Sequence, residues 1–98
     1  MTLQDREFNY SIFQSYYGIP SQKNKAIEEM AELTKELCKD IARNGNVEEI
    51  TKEIADVEVM LEQLKVVYDI DQSEIDKIKE EKILKAIGVI SKEMRGGV

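Results

Sequence analysis

The sequence predicts an all-α protein, a single domain over residues 1–98 built from four helices. Three observations predict it. The chain holds one proline, Pro20, and only five glycines, which sit at breaks or near the C-terminus. Apolar residues recur at spacings of three and four, the period of a helix face. Polar capping residues stand just ahead of the apolar runs.

A first helix is expected over about Leu3 to Tyr17, carrying Phe8, Ile12, Phe13, Tyr16 and Tyr17. Gly18-Ile19-Pro20 ends it. Ser21 is the expected cap of a second helix, which runs to about Arg43 with Ile27, Met30, Leu33, Leu37, Cys38 and Ile41 along one side. Asn44-Gly45 is expected to stop that helix, with the glycine taking the left-handed conformation of a C-cap. Asn46 with Glu49 three residues on reads as a capping box for a third helix, to about Tyr68. Asp71 with Glu74 repeats that signature for a fourth, which runs towards Ile87 or Met94. Gly96-Gly97-Val98 is expected to fray.

Composition excludes several classes of function. The net charge is −6 and the isoelectric point about 4.7, which argues against nucleic acid as a partner. An anionic substrate would need cations to bridge it to the protein. The chain has no histidine and one cysteine, so it lacks the ligands of a structural zinc site and the pair needed for Cys-His or Ser-His chemistry. Cys38 lies on the apolar stripe and is expected to be a buried structural thiol. No apolar run approaches a membrane span, and the N-terminus lacks a signal-peptide pattern. The expectation is a soluble, cytoplasmic protein with no membrane partner. A core built from 98 residues is marginal alone, so self-association would help.

Four acidic residues carry the functional signal. Glu29 and Glu32 lie in Glu28-Glu29-Met30-Ala31-Glu32-Leu33, and Glu53 and Asp56 in Glu53-Ile54-Ala55-Asp56-Val57. Each pair has i, i+3 spacing, which puts both carboxylates on one side of a helix. The second and third helices are joined by a short turn and should be antiparallel neighbours. Counted from Gly45, Glu32 and Asp56 fall at nearly the same height, with Glu29 and Glu53 bracketing them. Four oxygen ligands converging there suit Mg²⁺ or Mn²⁺ and a polyphosphate held by it. Glu53 also falls in the margin of the main apolar stripe of the third helix, Ile50, Ile54, Val57, Leu61, Leu64 and Tyr68. A carboxylate there is partly desolvated, which is costly unless it is paired or metal-bound. The competing reading is a solvated acidic face. The same helix has a second apolar strip, Ala55, Val59, Val66 and Ile70, read as a subunit interface; the alternative is cover by the first or fourth helix.

At these residues the chain resembles the MazG-like all-α nucleoside triphosphate pyrophosphohydrolases. Their pattern of Glu-Glu-x-x-Glu on one helix and Glu-x-x-Asp on the next stands here as Glu28-Glu29-x-x-Glu32 and Glu53-x-x-Asp56. The resemblance covers about Pro20 to Ile70. It implies hydrolysis of a nucleoside triphosphate between the α and β phosphates, giving monophosphate and pyrophosphate. It implies Mg²⁺ as cofactor, with Mn²⁺ as a substitute, held by Glu29, Glu32, Glu53 and Asp56 as the catalytic and metal-binding set. It also implies a homodimer or homotetramer.

Substrate-binding candidates follow from the same resemblance. Family members carry a basic, asparagine-containing segment on the fourth helix. Here Lys82 and Lys85 stand in it, but Ala86 occupies the place expected for the asparagine. Phe13 and Tyr17 are candidates to stack on a nucleobase, and Gln14 to bond its edge; the alternative for the aromatics is the core. Three rival functions stay open: an enzyme of the same architecture that acts on another phosphoanhydride, such as phosphoribosyl-ATP or a nucleoside diphosphate linked to another group; a helical interaction module without catalysis; and a degenerate relative that binds nucleotides without hydrolysing them.

Overall fold

A computed structural model describes residues Met1–Gly96 and shows four helices in the order α1 (Leu3–Tyr17), α2 (Ile19–Ile41), α3 (Val47–Val67) and α4 (Gln72–Met94). The all-α expectation holds among the described residues. Gly97 and Val98, two of the three residues expected to fray, lie outside them; Gly96 forms a turn with φ +84°.

Local chemistry explains each helix end. At α1, the Thr2 hydroxyl accepts from the Asp5 amide and the Asp5 carboxylate accepts from the Thr2 amide, a reciprocal capping box. Gly18, with φ 90°, ends α1 and begins α2. Ser21 is therefore not the cap expected from the sequence. It lies inside the first turn of α2, because Pro20 fits where helix amides have no partner.

The turn after α2 differs from expectation in an instructive way. The left-handed residue is Arg43, with φ 66°, and not Gly45. The Asn44 amide donates to the Lys39 carbonyl and the Arg43 amide to the Asp40 carbonyl, the bonding of a Schellman motif. Gly45 is required for another reason. A Cβ there would come within 2.7 Å of the Asp40 Cα, so only glycine lets the chain fold back so tightly over the end of α2. Asp69, with φ 51°, ends α3 in the same way, through the Ile70 amide on the Lys65 carbonyl. Asn46 caps α3 through the amides of Glu48 and Glu49, and Asp71 caps α4 through the Ser73 amide.

Helices α2 and α3 form the main packed pair, and α1 lies against both. The Lys23 ammonium sits 4.7 Å from the centre of the Tyr68 ring, joining the start of α2 to the end of α3. A second clamp holds α1 on α3. Arg6 donates from Nε and Nη2 to the two carboxylate oxygens of Glu62, at 2.9 and 3.2 Å, and the Tyr10 hydroxyl donates to the same carboxylate. Helix α4 packs at most marginally on the others and has no buried residue. Its start is tethered to α3 by the Lys65 ammonium, which donates to the Gln72 carboxamide at 2.6 Å.

The apolar core is small: Tyr10, Ala26 and Met60 are its only buried hydrophobic residues among those described. Much of the expected α2 stripe, including Ile27, Leu37 and Ile41, is exposed. Cys38 is exposed as well, which corrects its assignment as a buried thiol. The stripe is correctly placed on the helix, but no element of the single chain covers it. The second α3 strip is uncovered too at Val59 and Ile70. The radius of gyration is 17.6 Å, against about 13 Å for a compact chain of this length.

Candidate metal and ligand site

Glu29 on α2 meets Glu53 and Asp56 on α3. Each offers one carboxylate oxygen, and these oxygens lie within 4.8 Å of one another. All three side chains are half-buried. The antiparallel packing of α2 on α3 brings them together, and the tight turn at Gly45 sets which residues lie opposite.

Glu32 does not join this group. Three residues after Glu29 it is rotated by about 60° around the helix, towards solvent, and it is exposed. Equal height with Asp56 does not bring Glu32 in: on the helical wheel Glu29 borders the apolar arc near Leu33 and Glu32 lies further towards the polar side, and the structure keeps that direction. Glu32 still acts through its charge on Glu53.

Glu53 is the most constrained member. Its Oε2 is buried and has no hydrogen-bond partner. Desolvation holds its carboxyl above the usual carboxylate range, and the negative charges of Asp56, Glu29 and Glu32 push it further the same way. One cation already serves the cluster. Lys25 Nζ lies 3.1 Å from Glu29 Oε1 and 3.9 Å from Glu28 Oε1. These two carboxylates keep the lysine protonated to higher pH than usual.

A cavity of about 620 Å³ adjoins the cluster. Phe13 and Tyr17 of α1, Lys25 of α2, and Met60 and Gln63 of α3 contribute to its wall. Lys25 thus belongs to both cavity and cluster, and Asp56 is one helical turn from Met60. Two of the sequence-derived substrate contacts, Phe13 and Tyr17, line this cavity. Gln14 does not line the cavity; its side-chain amide donates to the Gln63 backbone carbonyl at 3.5 Å. Lys82 and Lys85 lie exposed on α4 and line neither the cavity nor the cluster of the single chain.

In the sequence Lys25 reads first as a surface charge, with a phosphate contact as the alternative, and Gln63 is passed over. The i, i+4 spacing of Lys25 and Glu29 was a legible signal for the first. For the second, the signal was an amide two turns beyond Asp56 on the same side of α3.

The donor set is all oxygen and all carboxylate, which matches hard divalent cations such as Mg²⁺ and Mn²⁺. The buried, unpartnered Glu53 Oε2 is the atom such a cation would satisfy. No helix of the described residues is long and apolar enough to cross a membrane. Comparison of the chain with protein-family models, with curated proteins and with solved structures finds no match.

Proposed function

We propose that this protein is a divalent-metal-dependent nucleoside triphosphate pyrophosphohydrolase. The observation that carries the reading is the convergence of Glu29, Glu53 and Asp56, with a buried and unpartnered oxygen on Glu53; Lys25, paired with Glu29, also lines a cavity that Phe13 and Tyr17 help to wall. Glu29, Glu53 and Asp56 would hold the cation, with Glu32 as a neighbouring negative charge. Bound there, Mg²⁺ supplies charge neutralisation of the triphosphate and a water of lowered pKa. In the reaction, water adds to the α-phosphorus, the bond from that phosphorus to the α–β bridging oxygen breaks, and pyrophosphate leaves. The carboxylates hold the polyphosphate end, Lys25 stands ready to pair with a phosphate oxygen, and the apolar cavity receives the rest of the nucleotide.

The protein would act as a homo-oligomer. The accessible surface is 7876 Å², whereas a compact monomer of this mass exposes about 5,700 Å². The excess of about 2,100 Å² is more than the ~800 Å² that one partner contributes to an interface of standard size. Leu84 on α4 is 71% exposed, and Ile83 and Ile87 beside it are open as well. A second copy covering α4 would also decide whether Lys82 and Lys85 reach a site. The double substitution L84K/I87K should convert the oligomer to monomer, read by light scattering on a sizing column.

The test of the activity is pyrophosphate release from ribo- and deoxynucleoside triphosphates, with Mg²⁺, with EDTA, and with Glu53→Gln. Metal-dependent turnover lost in the variant supports the reading. A folded, metal-binding protein silent across the panel argues for the nucleotide-binding but non-hydrolysing alternative. Silence without metal binding leaves the helical interaction module, which the uncovered face of α4 favours.

A further inference from the structure

We infer that the cavity between α1, α2 and α3 is a nucleobase subsite, and that the Gln63 carboxamide is the group that discriminates among bases. The inference rests on the nucleotide reading above and deepens it.

Gln63 is 3% exposed and lines the cavity. Its Oε1 is buried and has no hydrogen-bond partner. A buried amide oxygen without a partner is rare in folded proteins, because it has lost water and gained nothing in return. A ligand that supplies a donor to this oxygen and an acceptor to the nitrogen beside it would satisfy the carboxamide. The edge of a nucleobase presents such a pair, and a glutamine side chain can bond it with two parallel hydrogen bonds.

The surroundings match the same ligand. Phe13 and Tyr17 line the cavity from α1, and Met60 from α3. Aromatic faces stack on any base, which gives affinity without choice among bases. The choice then falls to the carboxamide. Site logic supports this, since a pocket whose buried polar group goes unpaired with the wrong ligand rejects that ligand strongly.

The spacing along α3 agrees. Gln63 follows Asp56 by seven residues, two turns, so both project from nearly the same side about 10 Å apart. A nucleotide whose α-phosphate lies at the carboxylates would cross that span with its sugar and bring its base to Gln63. Gln14, the residue first considered for this task, is already engaged with the Gln63 backbone carbonyl. It holds the strand of contacts between α1 and α3 and leaves the neighbouring side chain to the ligand.

The test uses the full chain. The side-chain amide protons of Gln63, identified by their loss in Gln63→Met, are followed by NMR while the four deoxynucleoside monophosphates are added without metal. In parallel, kcat/KM is measured for the matching triphosphates in wild type and in Gln63→Met. The expected result is a large shift of the Gln63 amide with one base above the others. The variant should then lose roughly 10–100-fold in kcat/KM for that base, with the ranking flattened and Mn²⁺ affinity unchanged. Nucleotide-specific shifts at Gln63 without hydrolysis would uphold this inference and sink the hydrolase reading. Hydrolysis whose base ranking survives in Gln63→Met, with no shift at Gln63, would overturn the inference and leave the hydrolase standing. No binding of any nucleotide would overturn both.

Discussion

Lys25 places its ammonium 3.1 Å from the carboxylate of Glu29, in the wall of the cavity and at the edge of the acidic cluster. While Lys52 acts through its charge on Glu53, Lys25 is the cation paired with Glu29. A metal bound by Glu29 must compete with it. We therefore expect Lys25→Met to bind Mn²⁺ a few-fold more tightly in a direct titration. The same substitution should raise KM for a triphosphate, because the lysine freed by the metal is then missing from the phosphates. Unchanged Mn²⁺ affinity would show that the lysine does not compete.

Glu53 yields a prediction about pH. Its carboxyl is held above the ordinary 4.5 by desolvation and by neighbouring acids. A group whose folded-state value is raised contributes stability at low pH and loses it as pH rises through that value. In EDTA, Glu53→Gln should therefore melt at a higher temperature than wild type at pH 7, with the gap closing towards pH 4. Added Mg²⁺ or Mn²⁺ should reverse the order, stabilising wild type and leaving the variant unmoved. Asp56→Asn should lower turnover by at least ~100-fold, since it removes a metal-holding carboxylate, and loss of a group that only supports such a ligand already costs up to about that much.

The clamp between α1 and α3 titrates in the opposite sense. Hydrogen bonds from Arg6 hold Glu62 below the usual carboxylate range. Such a group contributes stability above its unfolded value and loses it as pH falls through the folded one. Glu62→Gln should flatten the acid limb of the stability profile. Tyr10, pushed up to about 12 by burial and then by Glu62, keeps its proton across the working range. Tyr10→Phe should cost about 1.5–3 kcal/mol in a urea melt, the range for a hydrogen bond to a charged group. It should also weaken nucleotide binding, since α1 carries Phe13 and Tyr17.

The turn between α2 and α3 separates two roles that glycine commonly combines. Arg43 occupies the left-handed conformation at a cost to a residue with a side chain, so Arg43→Gly should stabilise the protein by about 1 kcal/mol. Gly45 faces the Asp40 backbone at close range, so Gly45→Ala should destabilise it by about 1–3 kcal/mol, as overpacking does. It should also reduce metal affinity, because the turn sets the register of Glu29 against Glu53. Thermal melts with and without Mn²⁺ check both effects.

The helices are legible in the chain alone. Asn46 and Asp71 mark where two of them begin, and the spacing of apolar residues marks their extent, because capping and periodicity act within a few residues of chain. The sequence by itself also determined that Glu29, Glu53 and Asp56 lie on neighbouring helices. Only tertiary packing decided that carboxylate oxygens of Glu29, Glu53 and Asp56 come within 4.8 Å of one another and that the Gln63 amide oxygen is buried without a partner. It also decided that Cys38 and the α2 stripe lie open. These outcomes depend on the angle at which one helix meets another and on which faces are left uncovered. That angle is set by the packing of whole side-chain surfaces and by the close approach of Gly45 to the Asp40 backbone.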